Sequence, residues 1–224
     1  APMLDLTLFR NLPFALNLCM GFLIFVVMGG MFLLPFFLDL VLHLPPERAG
    51  LLIATVPVSM GLVAPWAGAL ADRFGSRIIS LAGLLVTVAA CLLISTLDAD
   101  VSTIGYILRL VPFGIGIGMF QSPNNRAIMH AAPVHRLGVA SGLLALSRTL
   151  GMVTGMPLVG AIFALRVGAA THGGPAEISH AAPETIVSGL AWTFRFAAVV
   201  LLVSAALAAA AWRADRGESG GRGR

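Results

Sequence analysis

Long runs of apolar residues, parted by short charged or proline-bearing breaks, organise this chain from end to end. A helix needs about 20 predominantly apolar residues to cross a bilayer, and six stretches meet that requirement. No charge occurs between Arg10 and Asp39, so the first span lies in Asn11–Leu38. The second fits Ala49–Ala71, between Arg48 and Asp72, with Pro45 and Pro46 marking its entry. The third fits Ile78–Leu97 and stops at the acidic turn Asp98–Asp100. Thr103–Asn124, Leu137–Leu165 and Thr185–Trp212 supply the other three, each holding one arginine: Arg109, Arg148 and Arg195. These runs are apolar all round and lack the alternating polarity of barrel strands. The pattern predicts an all-α integral membrane protein. It has an entry segment over 1–10, a six-helix bundle over 11–212 and a disordered, Gly- and charge-rich tail over 213–224.

Composition agrees. Of 224 residues, 58% are hydrophobic and 11% charged, with a mean hydropathy of +0.95. A soluble domain carries roughly a quarter charged residues, so the solvent implied here is lipid.

The formal charge of +4 comes from fourteen arginines and no lysine, and their placement gives it meaning. One side of the bundle carries Arg10, Arg73, Arg77, Arg126, Arg136 and the tail residues Arg213, Arg216, Arg222 and Arg224. The opposite loops carry Arg48 and Arg166 among Asp39, Glu47, Asp98, Asp100, Glu177 and Glu184. Nine against two places both ends in the cytoplasm of a multi-pass protein of the cell membrane. The basic charge is thus topological, and no nucleic-acid partner is expected.

Cys19 and Cys91 lie far apart within apolar runs and read as small packing residues. His172, His180 and Glu177 share one loop, but their spacing matches no metal-ligand pattern. His43, His130 and His135 read as interfacial. No nucleophile–base arrangement or phosphate-cradling loop occurs, so no enzyme, metal or cofactor is expected. Position 1 is Ala, with no basic segment, short apolar stretch and cleavage site following it; the chain reads as processed or as a fragment of something longer.

The turn between the second and third spans reads Gly68-Ala-Leu70-Ala-Asp72-Arg73-Phe-Gly75-Ser-Arg77. Gly68 allows close approach to a neighbouring helix. Asp72 suits a cap on the third helix or a position facing a helix N-terminus, and Gly75 suits a tight turn. Arg73 and Arg77 stay on the cytoplasmic face. This turn resembles the signature found between the second and third helices of each six-helix half in the major facilitator superfamily, with Ser76 where the family usually has a basic residue. An ordinary cytoplasmic loop explains the charges but not both glycines at these offsets.

Two later patterns follow in the order that family uses. Arg109, Gly114, Gly116 and Gly118 resemble its fourth-helix pattern, with the first glycine one residue late. Gly142, Gly151, Gly155 and Pro157 resemble the fifth-helix pattern associated with antiporters, with the proline displaced by one residue. Gly114/Gly118, Gly138/Gly142 and Gly151/Gly155 are also small-xxx-small pairs suited to helix packing. No strand precedes Gly114–Gly118, so it is not a dinucleotide fingerprint. The stretches 33–52, 120–126 and 140–151 look like the C-terminal half of the fourteen-helix multidrug efflux branch. That resemblance implies proton-coupled efflux of lipophilic or cationic drugs by alternating access, and as partners membrane lipid, protons and the missing N-terminal half or a second copy. An uptake symporter of the same fold and a non-transporting scaffold subunit are the alternatives.

A charge in mid-bilayer costs roughly 2.5–3.5 kcal/mol, so such residues face protein or water. Arg148, twelve residues past Arg136, is read as facing the translocation pathway or making a helix–helix bond. Arg109 either snorkels to the external end or turns inward, as the family pattern implies. Asp39 is either an exposed interfacial acid or a buried proton carrier. Gln121, Ser122, Asn124 and Asn125 either cap the fourth helix or line an inner gate. Arg195 reads as an interfacial anchor.

Overall fold

The computed structural model describes residues 6–171 and 182–221, where the chain is helical apart from short connections. Six helices are long and apolar enough to cross a membrane. They are α1 (Leu12–Leu40), α2 (Pro46–Phe74), α3 (Ser76–Ile94), α4 (Thr103–Ala131), α5 (Leu137–Thr171) and α6 (Pro183–Gly221). No strand occurs among the described residues, and the all-helical membrane bundle anticipated from hydropathy is the fold observed.

Local chemistry sets the starts and bends. Asn11 caps α1, its Oδ1 accepting from the Phe14 amide at 3.4 Å, while Ser102 caps α4 by accepting from Gly105 N at 3.1 Å. Pro45 is extended and Pro46 occupies the first turn of α2, where its missing N–H has no intrahelical partner to lose. α1 tightens into a 3-10 turn at Gly30–Phe32, just ahead of Pro35. α2 is interrupted at Ala54, between Pro46–Ile53 and Thr55–Phe74, three residues ahead of Pro57. Each proline removes the amide that would have closed the preceding turn. Pro112, Pro123 and Pro157 leave their helices continuous.

Three boundaries differ most from the hydropathy reading. α4 runs on to Ala131 rather than ending near Asn124, because the polar run Gln121–Asn125 packs against neighbouring helices instead of closing the helix. α5 extends past Leu165 to Thr171. α6 continues to Gly221, so the backbone over 213–221 is helical where a disordered tail was expected. The alanine-rich run feeding that segment favours helix propagation.

α3 packs along α4, α1 along α5, and α2 along α4; α6 closes against α3 and α5, and α1 also meets α4 and α6. The main core gathers Phe37, Leu84, Tyr106, Phe113, Phe120 and Phe194, all essentially inaccessible. A smaller cluster of Phe14, Leu18, Ile128 and Leu143 ties α1, α4 and α5 together near the end that carries Gly75. α2 and α5 are the least buried spans. Their outer faces leave Leu51, Leu62, Trp66, Val153 and Leu165 more than half exposed. A contiguous apolar surface of that kind needs lipid or another helical body against it.

Glycine sets the close seams. A Cβ on Gly155 would collide with the Val26 carbonyl, and one on Gly29 would lie 2.9 Å from the Met156 amide, so α1 and α5 meet backbone to backbone. Gly83 and Gly116 do the same for α3 and α4, with 2.5 Å from a Gly83 Cβ to Phe120 N. Gly114 abuts Ser59, and a Cβ on Gly118 would lie 2.9 Å from the Met60 carbonyl, so both glycines join α4 closely to α2. Gly138 and Gly142 differ from the packing role expected of them. Among the described residues, nothing beyond their own helix backbone lies within 4 Å of the Cβ either would carry, because they sit on the exposed face of α5.

Candidate functional site

One open cleft, with a volume of about 390 Å3, lies between α2 and α4 in the part of the bundle nearer Gly75. Met60, Gly61 and Ala64 of α2 form one wall, and Gln121, Ser122 and Asn125 of α4 the other. Adjacent turns of α2 thus offer small or flexible apolar groups. α4 offers two amides and a hydroxyl, chemistry that binds neutral hydrogen-bonding groups and carries no charge.

Arg148 of α5 reaches this site from behind. Its Nη2 donates to Asn125 Oδ1 at 2.7 Å, and its guanidinium carbon lies 5.5 Å from the centre of the Phe25 ring on α1. The adjacent Ser147 hydroxyl donates to the Leu18 carbonyl at 3.0 Å, and Gly151 one turn on presses against Phe22 and Phe25, fixing α5 on α1. Arg148 is therefore a helix-to-helix bond and a neighbour of the cleft at once. Its Nε is buried and has no hydrogen-bond partner.

Asn124 points the other way. It is 1% exposed, and its Nδ2 donates to the Asn17 carbonyl on α1 at 3.2 Å, while its Oδ1 is buried without a partner. Successive residues of a helix lie about 100° apart, so Asn124 and Asn125 serve different faces of α4. Neither caps the helix, since four further residues and more of α4 follow them.

The Gly68–Arg77 turn is built differently from its sequence expectation at two points. Gly75 has φ +91° and ψ 139°, ends α2, and begins α3 with no intervening residue. Asp72 does not cap α3; it pairs with Arg126 of α4, locking the end of α2 to α4 across the mouth of the cleft. Both partners remain largely solvent-accessible, at 61% for Asp72 and 45% for Arg126, so the pair positions more than it stabilises. Gly68 faces Ser122, but an added Cβ would sit 3.7 Å from its hydroxyl, an ordinary contact, so packing does not demand glycine there. Arg73 lies over the Phe74 ring at 5.4 Å, and Leu70 is exposed.

Two residues expected near a pathway sit at the rim. Arg109 donates from Nε to Thr96 Oγ1 at 3.0 Å and from Nη1 to the Gly105 carbonyl at 3.1 Å, so it straps the far ends of α3 and α4 instead of turning inward. Gly105 lies one turn back toward the helix start, which is the direction a snorkelling arginine takes. Asp39 is exposed at the end of α1, because Phe37 and Leu38 occupy the buried face there. Pro157 and Arg195 are exposed on α5 and α6, and Arg166 clasps Trp192 at 3.8 Å between those helices. His172, Glu177 and His180 lie outside the described residues.

Ser147, Asn17 and Gly29 were missed in the sequence although each helps hold the site. Asn17 acts through its backbone carbonyl, its side chain being turned to the Pro13 carbonyl, so its polar character did not announce the role. Ser147 and Gly29 carried no signal, since small residues are common in spanning helices.

The model of the Major Facilitator Superfamily matches residues 17–223. An uncharacterized transporter, YebQ of Escherichia coli, is 36% identical over 70% of this chain and 35% of its own length. The riboflavin transporter RibZ of Clostridioides difficile is 35% identical over 72% of this chain and 36% of its own length. The multidrug efflux pump LfrA of Mycolicibacterium smegmatis is 28% identical over 95% of this chain and 48% of its own length. The chain thus spans from about a third to about half the length of these relatives.

Proposed function

The chain belongs to the Major Facilitator Superfamily, and on that premise we propose that it is the C-terminal six-helix half of a proton-coupled exporter of lipophilic or cationic compounds. The observation that carries this reading is the likeness to a multidrug efflux pump along nearly the whole chain. Alternating access works by rocking two such bundles about a site between them. The exposed apolar faces of α2 and α5 are where the N-terminal half, or a second copy, packs in this reading. The α2–α4 cleft is then the contribution of this half to the substrate path, with Gln121 and Asn125 at its wall, Arg148 bonded to Asn125 from behind, and Asn124 positioning α4 on α1. Arg109 and Asp39 belong to the outer rim.

The arginine asymmetry puts the Gly75 end in the cytoplasm and the bundle in the cell membrane. The Asp72–Arg126 pair then acts as a latch at the inner mouth, which the substrate cycle breaks and remakes. No Asp or Glu occurs from Val101 to Ala176, nor between Arg48 and Ala71 or Ser76 and Leu97. The acid that couples protons therefore comes from the remainder of the protein.

Ethidium accumulation in cells making the full protein tests the reading. Low accumulation that rises when an uncoupler collapses the proton gradient is expected for an exporter. Unchanged accumulation with and without the protein overturns it and leaves a non-transporting scaffold. A second reading, gradient-driven uptake of a neutral polar aromatic solute, is favoured by the acid-free amide lining of the cleft and by the likeness to a riboflavin transporter. Uptake of labelled riboflavin under the same gradient distinguishes it.

A further inference from the structure

We infer that Arg148 is a carboxylate-binding point built into this half of the transporter. The inference rests on the reading of the α2–α4 cleft as part of the substrate path. The residue sits twelve positions beyond Arg136 and eighteen before Arg166 on one continuous helix, about 18 Å and 27 Å along its axis at 1.5 Å per residue. That places a permanent cation deep along the span, with its side chain half-buried and its Nε inaccessible.

Charges at such depth are paired or functional, and nothing described here pairs this one. The described acids lie at helix ends, in connections or in the closing turns of α6: Asp39, Glu47, Asp98, Asp100 and Glu184 at one end of the bundle, Asp72, Asp215 and Glu218 toward the other. Asp72 is engaged by Arg126. The contacts given to Arg148 are a neutral amide oxygen and an aromatic face, and its Nε–H is buried without an acceptor. A buried charge-bearing donor left open requires an explanation, and its natural complement is a planar oxyanion that takes two of the guanidinium's N–H groups together.

The surroundings fix the guanidinium for that purpose. Ser147 and Gly151 bind α5 to α1 on either side of it, Phe25 covers one face, and Asn125 holds one nitrogen from the wall of the cleft. The carboxylate has two possible sources. It belongs to a transported molecule, or to an Asp or Glu of the other half that closes over the cleft.

Two xanthene dyes separate the outcomes in purified full-length protein: fluorescein, which carries a carboxylate, and rhodamine 6G, a cationic ester without one. With a transported carboxylate, R148Q weakens fluorescein binding by about tenfold or more and leaves rhodamine 6G unchanged, while R148K recovers part of the loss. With a carboxylate of the other half, R148Q lowers the Tm without selecting between the dyes. One Asp/Glu→Asn/Gln change outside this chain then lowers the Tm equally and non-additively with R148Q.

N125D guards against misfolding of R148Q. It supplies an internal carboxylate, so it raises the Tm and weakens fluorescein binding, and both effects vanish in the R148Q/N125D double variant. The inference is overturned if N125D gives no Arg148-dependent change and R148Q shifts both dyes alike with no coupled acid. Retained uncoupler-sensitive ethidium export in R148Q would then leave the transport reading standing by itself.

Discussion

Gly75 and Gly68 occupy one loop yet do opposite work. The backbone at Gly75, φ +91° with ψ 139°, lies where a Cβ strains the chain, although the space around it is empty. Holding a non-glycine residue in such a region costs about 1–3 kcal/mol. Gly68 is an ordinary helical residue with ordinary room beside Ser122. Gly75→Ala is therefore expected to lower the thermal midpoint of the purified full protein by several degrees, and Gly68→Ala to change it little or raise it, since alanine is the better helix former by about 1 kcal/mol. Equal effects in differential scanning fluorimetry would remove the backbone argument. Sequence alone marked both glycines and could not rank them, because spacing identifies a turn but not the dihedral angle of any one residue. Asp72 shows the same limit. Its acid character was plain, whereas its partner Arg126 is 54 residues away and is brought near only by the packing of α2 along α4.

Whole helices were the most legible level. Long apolar runs with at most one charge located all six spans because lipid tolerates few unpaired charges, and that constraint acts on every residue of a span. Ends were less legible, since Gln121–Asn125 looks like a stop in sequence but packs as helix interior. Helix faces were hardest. Gly142 and Gly155 share one motif, yet only Gly155 meets a neighbour, the Val26 backbone of α1. Gly155→Leu should force α1 and α5 apart, and overpacking of this kind costs about 1–3 kcal/mol. Gly142→Leu adds its side chain to an open face and should leave the stability of this bundle unchanged or raise it by up to about 1 kcal/mol. Size-exclusion profiles and thermal midpoints of residues 1–224 in detergent measure the contrast. Comparable losses for both would mean that the α1–α5 seam is not the close contact it is described to be.

At the scale of the whole molecule the bundle is well cored and poorly covered. α1 and α4 hold most of the buried aromatics, whereas α2 and α5 turn Leu62, Trp66 and Val153 outward. Lipid alone satisfies such faces thermodynamically, so the six helices should remain folded by themselves. Transport is a different requirement, because a single bundle offers one wall of a path and nothing to rock against. Residues 1–224 reconstituted alone are therefore expected to bind detergent or lipid, retain helical circular dichroism and show no ethidium flux. Restoring the remainder of the polypeptide, as a fused or co-reconstituted segment, should restore it. Flux from vesicles dilute enough to hold one copy each would overturn the need for a second bundle. Flux appearing only at several copies per vesicle would identify a second copy of this chain as the body against which α2 and α5 move.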